Sequence, residues 1–140
     1  MAHHTLRRVS LFFFFVYVAS LIAAGAWGSV GARFDMRVLL QLHIHVLPHR
    51  TAANVLSQYR FLRAIELGFG AFALTKWRRI YSVRSYNRLF LSAMGAGVAA
   101  RLLSLALDGT PSWWMFVFLG FELVGIVLIF LATRSDLADG

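Results

Sequence analysis

Ala93–Pro111 reads AMGAGVAARLLSLALDGTP. It opens as a run of small residues, continues as an apolar helical stretch with Arg101 inside it, and stops at Asp108-Gly109-Thr110-Pro111. Gly and Pro together mark a sharp end to the helix. An arginine in so apolar a helix needs a partner of opposite charge. The rest of the chain therefore has to supply one.

The chain around this stretch is 140 residues long, 59% hydrophobic and only 14% charged. Soluble domains carry roughly a quarter charged residues. With long apolar runs, this composition points to an integral membrane protein. The formal net charge is +8, which in a soluble protein would suggest nucleic acid. Here the basic residues flank apolar runs, where they set topology and meet anionic lipid, so no nucleic-acid partner is expected. There is no cysteine, which excludes disulfides, thiolate metal sites and a cysteine nucleophile.

Four runs are long enough to span. The first, about 9–27, follows Arg7-Arg8 and contains Phe12–Phe15. It also has the layout of a secretory signal, with small residues at 23–26; we read it as a retained span. The second covers about 60–77, RFLRAIELGFGAFALTKW, after Thr51 as an expected N-cap. The third covers about 89–107. The fourth, about 112–133, opens with Trp113-Trp114, an interfacial aromatic pair. Between the first two spans, residues 37–47 are apolar but too short to cross. Arg37, Gln41 and His45 recur at helical spacing, while Leu40–Val46 also alternates like a strand. An isolated strand in a membrane would leave its backbone unpaired. The expectation is a short interfacial helix ended by Pro48.

The fold class expected is thus all-α: a four-transmembrane-helix bundle, one integral membrane domain over 1–140, with an interfacial helix between the first and second spans. Residues 76–88, KWRRIYSVRSYNR, form a connector with five Lys/Arg and no acid. With four spans, Arg7, Arg8, Lys76, Arg78, Arg79, Arg84, Arg88 and Arg134 share one side, against Arg33, Arg37 and Arg50 on the other. The positive-inside rule then places both termini in the cytoplasm.

The intramembrane charges are Arg63, Glu66, Arg101 and Glu122. At ~1.5 Å per residue, Glu66 and Arg101 each lie roughly 10 Å from the outer face, and Glu122 roughly 15 Å. An unpaired charge at the centre of a span costs at least ~2.5 kcal/mol. Arg101 is therefore expected to pair with Glu66, with Glu122 close by and Arg63 completing the cluster or snorkelling outward. Such a cluster can be a site for a ligand or a proton, or an ion-pair network that holds helix register. Small residues spaced four apart, Ala64/Gly68, Ala93/Gly97 and Gly95/Ala99, are expected to let helices pack closely. His43, His45 and His49 are the candidates for a metal or haem, but Pro48 breaks the helical spacing of the last two, and no metal or cofactor is expected. Motifs for a nucleophile, a P-loop or a dinucleotide site are not present.

Ala100-Arg101-Leu102-Leu103-Ser104 with Asp108-Gly109 and Pro111, followed by a span bearing Glu122, resembles the DUF4345 family. The resemblance implies a small four-helix protein of the bacterial cytoplasmic membrane with no assigned activity. Ala100 stands where the family's pattern has glycine, and RFLRAIELGFG departs from the usual second helix, so either Arg60 or Arg63 answers to that helix's arginine. The function expected is a non-catalytic membrane module, an accessory or scaffold subunit packed against other integral membrane proteins in the lipid bilayer. The alternative is a protein that binds or transports a small molecule, lipid or proton through Arg63, Glu66, Arg101 and Glu122.

Overall fold

The computed structural model describes residues 2–134 and 137, with side chains from residue 4 onward. Among them the chain is all-α. Five helices run in the order α1 (Ala2–Val30), α2 (Ala32–Val38), α3 (His49–Ile80), α4 (Arg84–Leu107) and α5 (Trp113–Thr133), with one 3-10 turn at Ile44–Val46. Three helical stretches are long and apolar enough to cross a membrane: His4–Val30, Arg84–Leu107 and Trp113–Thr133, with hydropathies of 2.2, 1.7 and 2.6. Their outward residues are apolar too; Phe12 is 71% exposed, Leu107 74% and Trp113 71%. Faces of that kind need a lipid solvent rather than water. The chain is a membrane protein. α3 is as long as any of them, but its charges keep it below the hydropathy of a simple span.

The chain forms two compact units, one made of 1–17 and 73–140, the other of 18–72. In the first unit, Phe14 is fully buried and meets Tyr81 edge-on at 5.5 Å and Phe90 at 5.3 Å between ring centroids. The buried polar groups there are all engaged. Ser10 Oγ and the Tyr81 hydroxyl share a 2.7 Å hydrogen bond. Asn87 Nδ2 donates to the Ile80 carbonyl and to Thr133 Oγ1. Burial is the main reason the Tyr81 hydroxyl is pushed up to about 12. α4 and α5 form a helical hairpin. Asp108 N–H closes α4 on the Ser104 carbonyl, and Gly109 takes φ 93°, the left-handed turn that only glycine adopts freely.

In the second unit, α1 and α3 run antiparallel at very close range. A Cβ at Gly25 would come 2.6 Å from Leu67 N and 2.7 Å from Arg63 O, and one at Gly70 would meet Ile22 Cγ1 at 2.8 Å. α2 and the 3-10 turn fold over the start of α3. Ala32, Met36, Leu56 and Tyr59 make a small core there, with Leu42, Ile44 and Val55 against it.

Three expectations need correction. The interfacial helix expected over 37–47 does not form as one piece. α2 ends at Val38, Gln41 turns left-handed at φ 54°, Leu42 N–H reaches back to the Met36 carbonyl, and only Ile44–Val46 winds again. The alternation at 40–46 disfavours a continuous helix, and Pro48 forces Leu47 to an extended ψ of 149°. Thr51 is not the N-cap of α3. The helix starts at His49, and Ala52 N–H bonds to the carbonyl of Pro48, which takes the position just before the helix instead. The connector expected over 76–88 is mostly helix, with only Tyr81–Val83 between α3 and α4. Lys and Arg are good helix formers, and Arg78 and Arg79 in the last turn of α3 complement its dipole.

Candidate functional site

Among the described residues, each unit holds one arginine–glutamate ion pair. In the α4–α5 hairpin, Arg101 forks onto Glu122: Nε donates to Oε2 at 3.0 Å and Nη2 to Oε1 at 3.2 Å. Its remaining Nη1 points at Met115 Sδ at 3.6 Å, and the guanidinium lies 5.9 Å from the Phe118 ring. Met115, Phe118 and Glu122 fall on one stripe of α5, so a single helix face receives the whole guanidinium. The Glu122 side chain is 14% exposed and that of Arg101 32%. Ser104, one turn beyond Arg101, is occupied in the turn and donates to Asp108 Oδ2.

In the other unit the pair lies within one helix. Arg63 Nη1 donates to Glu66 Oε2 at 2.6 Å, an i,i+3 contact. Arg63 Nε donates to the Tyr59 hydroxyl at 2.8 Å, and its guanidinium sits 4.8 Å from that ring. Tyr59 in turn donates to Asp35 Oδ2 at 2.6 Å, while Trp27 Nε1 donates to Oδ1 at 3.0 Å. The result is a linked chain, Glu66–Arg63–Tyr59–Asp35–Trp27, that runs through Asp35, a residue only 4% exposed. Burial first, then the bond to Asp35, raises the Tyr59 hydroxyl to about 12, with Arg63 pulling the other way.

The expected Arg101–Glu66 pair is thereby corrected. Arg101 takes Glu122 and Glu66 takes Arg63. Matching depths along two spans says nothing about which way each side chain faces around its helix. A neighbour one turn away on the same helix meets Glu66 at no cost in chain entropy. Glu122 is the partner rather than a bystander, and Arg63 does not snorkel free. Asp35 and Tyr59 were not singled out from sequence. The signal available was that Asp35 is the single acid between Val30 and Arg60.

The small residues also sort differently. Ala64, Gly68, Ala93, Gly97 and Ala99 are exposed and Gly95 half-buried. A Cβ at Gly68, Gly95 or Gly97 would meet nothing within 4 Å. The close packing instead uses Gly25, Gly28, Gly70 and Gly125. At Gly28 the missing Cβ makes room for the Arg63 stem, whose Cγ and Cδ lie 2.6 Å from where it would be.

His43, His45 and His49 all line one cavity of about 980 Å³, with Arg33, Arg37 and Arg60. His43 and His45 stand edge to face at 5.6 Å. Among the described residues, no group of three His, Cys, Asp or Glu is placed to hold a metal ion.

Apolar outer faces around internally neutralised charges define an all-α integral membrane protein. The chain belongs to the family described as a domain of unknown function, DUF4345, which it matches over residues 5–133. Comparison with curated proteins and with solved structures gives no match.

Proposed function

We propose that the protein is a non-catalytic integral membrane module of the bacterial cytoplasmic membrane, an accessory or scaffold subunit that packs against other membrane proteins. The observation that carries this reading is an open small-residue stripe on α4. Ala93 and Gly97, four apart on that helix, are both exposed, and Gly97 has empty space where a Cβ would stand; close helix approach through small residues drives association in lipid. The fork between Arg101 and Glu122 supports a structural role for that pair, since its strongest donors are already used.

The reading includes four crossings, with α3 as the second. At 32 residues, α3 reaches roughly 48 Å, more than the ~30 Å hydrocarbon core. Within each unit it packs antiparallel on a segment of α1, through Phe15–Trp77 in one and Gly25–Leu67 in the other. A helix alongside a spanning helix shares its depth. Four crossings put eight of the flanking basic residues, from Arg7 to Arg134, on the side of the termini, which supports a cytoplasmic location for both.

Mild solubilisation with crosslinking tests the module. The native chain is expected in an assembly larger than itself, and Gly97→Leu should dissolve that assembly without lowering monomer stability. A partner-free, monodisperse native monomer would defeat the reading. Topology is tested separately: Val46→Cys and Ser82→Cys, in a chain with no other cysteine, should be labelled from opposite sides.

The alternative, a small-molecule, lipid or proton-binding protein, draws on the linked chain from Glu66 to the buried Asp35. It predicts that Arg63→Gln abolishes binding or proton movement in a chain that still folds.

A further inference from the structure

The cavity in the second unit carries a concentration of positive charge that the fold does not neutralise. Arg33 and Arg37 are one turn apart on α2, Arg60 stands on α3, and His43, His45 and His49 complete the polar wall. No Asp or Glu lines it. Yet Asp35 lies two residues from each of the two α2 arginines. Residues two apart point to opposite sides of a helix. Asp35 accordingly turns inward, where Trp27 and Tyr59 occupy its two oxygens. Neither Arg33 nor Arg37 has an acceptor for its guanidinium among the described residues, whereas Arg60 donates to the Ser29 carbonyl.

The rest of the wall suits an anion with an organic part. The first turn of α3 contributes His49, Ala52 and Ala53, and a helix N-terminus favours negative charge. Every imidazole offers at least one N–H. Leu42, Ile44, Leu47 and Leu56 give an apolar floor. The left-handed turn at Gln41 folds the histidine segment back beside α2. Because α2 follows directly on the first candidate span, which ends at Val30, the cavity opens at headgroup level.

We infer that this cavity binds a phosphate ester, with the forked guanidinium groups of Arg33 and Arg37 on the phosphate and the leucine floor against its organic part. Arginine forks match phosphate oxygens two at a time. A volume of about 980 Å³ holds a headgroup-sized molecule rather than a bare ion. The inference is independent of the module proposed above.

The test uses the full chain in maltoside micelles, which contain no phosphate, with three probes: short-chain phosphatidic acid, glycerol 3-phosphate and inorganic phosphate, followed by phosphorus NMR. Saturable binding of phosphatidic acid alone identifies a lipid source, and competition by glycerol 3-phosphate identifies a soluble one. Binding of none of the three overturns the inference. R33Q/R37Q should weaken the bound probe about tenfold or more, R33K/R37K should fall part-way, and R8Q/R78Q, which removes the same charge elsewhere, should change nothing. Equal losses in R33Q/R37Q and R8Q/R78Q would reduce the effect to general electrostatics and overturn the site. Should R33Q/R37Q not fold, H43Q/H45Q replaces exposed side chains of the wall; about threefold weaker binding is expected, and unchanged binding counts against the site. Loss of phosphate binding with partner association intact concerns this site alone, and the converse concerns the module alone.

Discussion

The two ion pairs have the same composition and opposite construction. Arg101 and Glu122 are 21 residues apart, on different helices, and meet through two parallel bonds. Arg63 and Glu66 are three residues apart on one helix and meet through one. The first pair restrains two helices relative to each other. The second mostly cancels charge, and its structural reach comes from what Arg63 does with its other nitrogen, on Tyr59 and through it on Asp35. The difference teaches that a charge inside an apolar helix can be neutralised without constraining tertiary structure. Which pairs constrain it depends on where the partner is anchored.

The largest expected effect comes from breaking the interhelical pair. Arg101→Leu strands Glu122 in α5 and should lower stability in detergent by about 3 kcal/mol. Arg101→Leu with Glu122→Leu should recover most of that loss, so a double-mutant cycle returns a large coupling. Next comes Gly28→Ala, whose Cβ pushes into the Arg63 stem. Arg63 is flexible enough to yield, at about 1–2 kcal/mol, and the Tyr59 bond should weaken with it. Glu66→Leu is expected to cost less, about 0.5–1 kcal/mol, because Arg63 keeps Tyr59. If Glu66→Leu proves as costly as Arg101→Leu, the contrast between the pairs fails. The smallest effect at neutral pH is that of the buried phenols. Tyr59 and Tyr81 both titrate near 12 in the folded chain, against 10 when exposed. The unfolded chain therefore releases these protons first. Stability should stay level below pH 10 and fall as pH rises from 10 to 12. Tyr81→Phe should flatten part of that fall, as read by thermal unfolding across the alkaline range.

The apolar runs made the all-α class and the membrane setting legible, since length and hydropathy are properties of single segments. The last span is a good instance: 112–133 from sequence against Trp113–Thr133 in the fold. Arg63, Glu66, Arg101 and Glu122 were legible for the same reason, as charges out of place. Their pairing was not. It depends on the angle each side chain takes around its helix axis, which depth along the span does not carry. The glycines repeat the lesson. Gly68, Gly95 and Gly97 lie in recognisable small-residue patterns and face open space, while Gly25 and Gly70, in weaker patterns, hold the tight contacts. Asp35 was hidden further still. Its importance rests on Tyr59, 24 residues on, and on a bend at Gly31 that no apolar periodicity announces.

The separation between Arg101 and Glu122 also bears on biosynthesis. A nascent chain is delivered to the bilayer from its N-terminus. Glu66 is made three residues after Arg63, so that pair is matched within one segment as soon as it is made. Arg101 leaves the ribosome 21 residues ahead of its carboxylate, which lies beyond the Asp108–Pro111 turn. A lone α4 would carry an arginine into hydrocarbon at a cost of at least ~2.5 kcal/mol. The last two helices are therefore best delivered together, as a preformed hairpin, with insertion of α4 waiting on translation of α5.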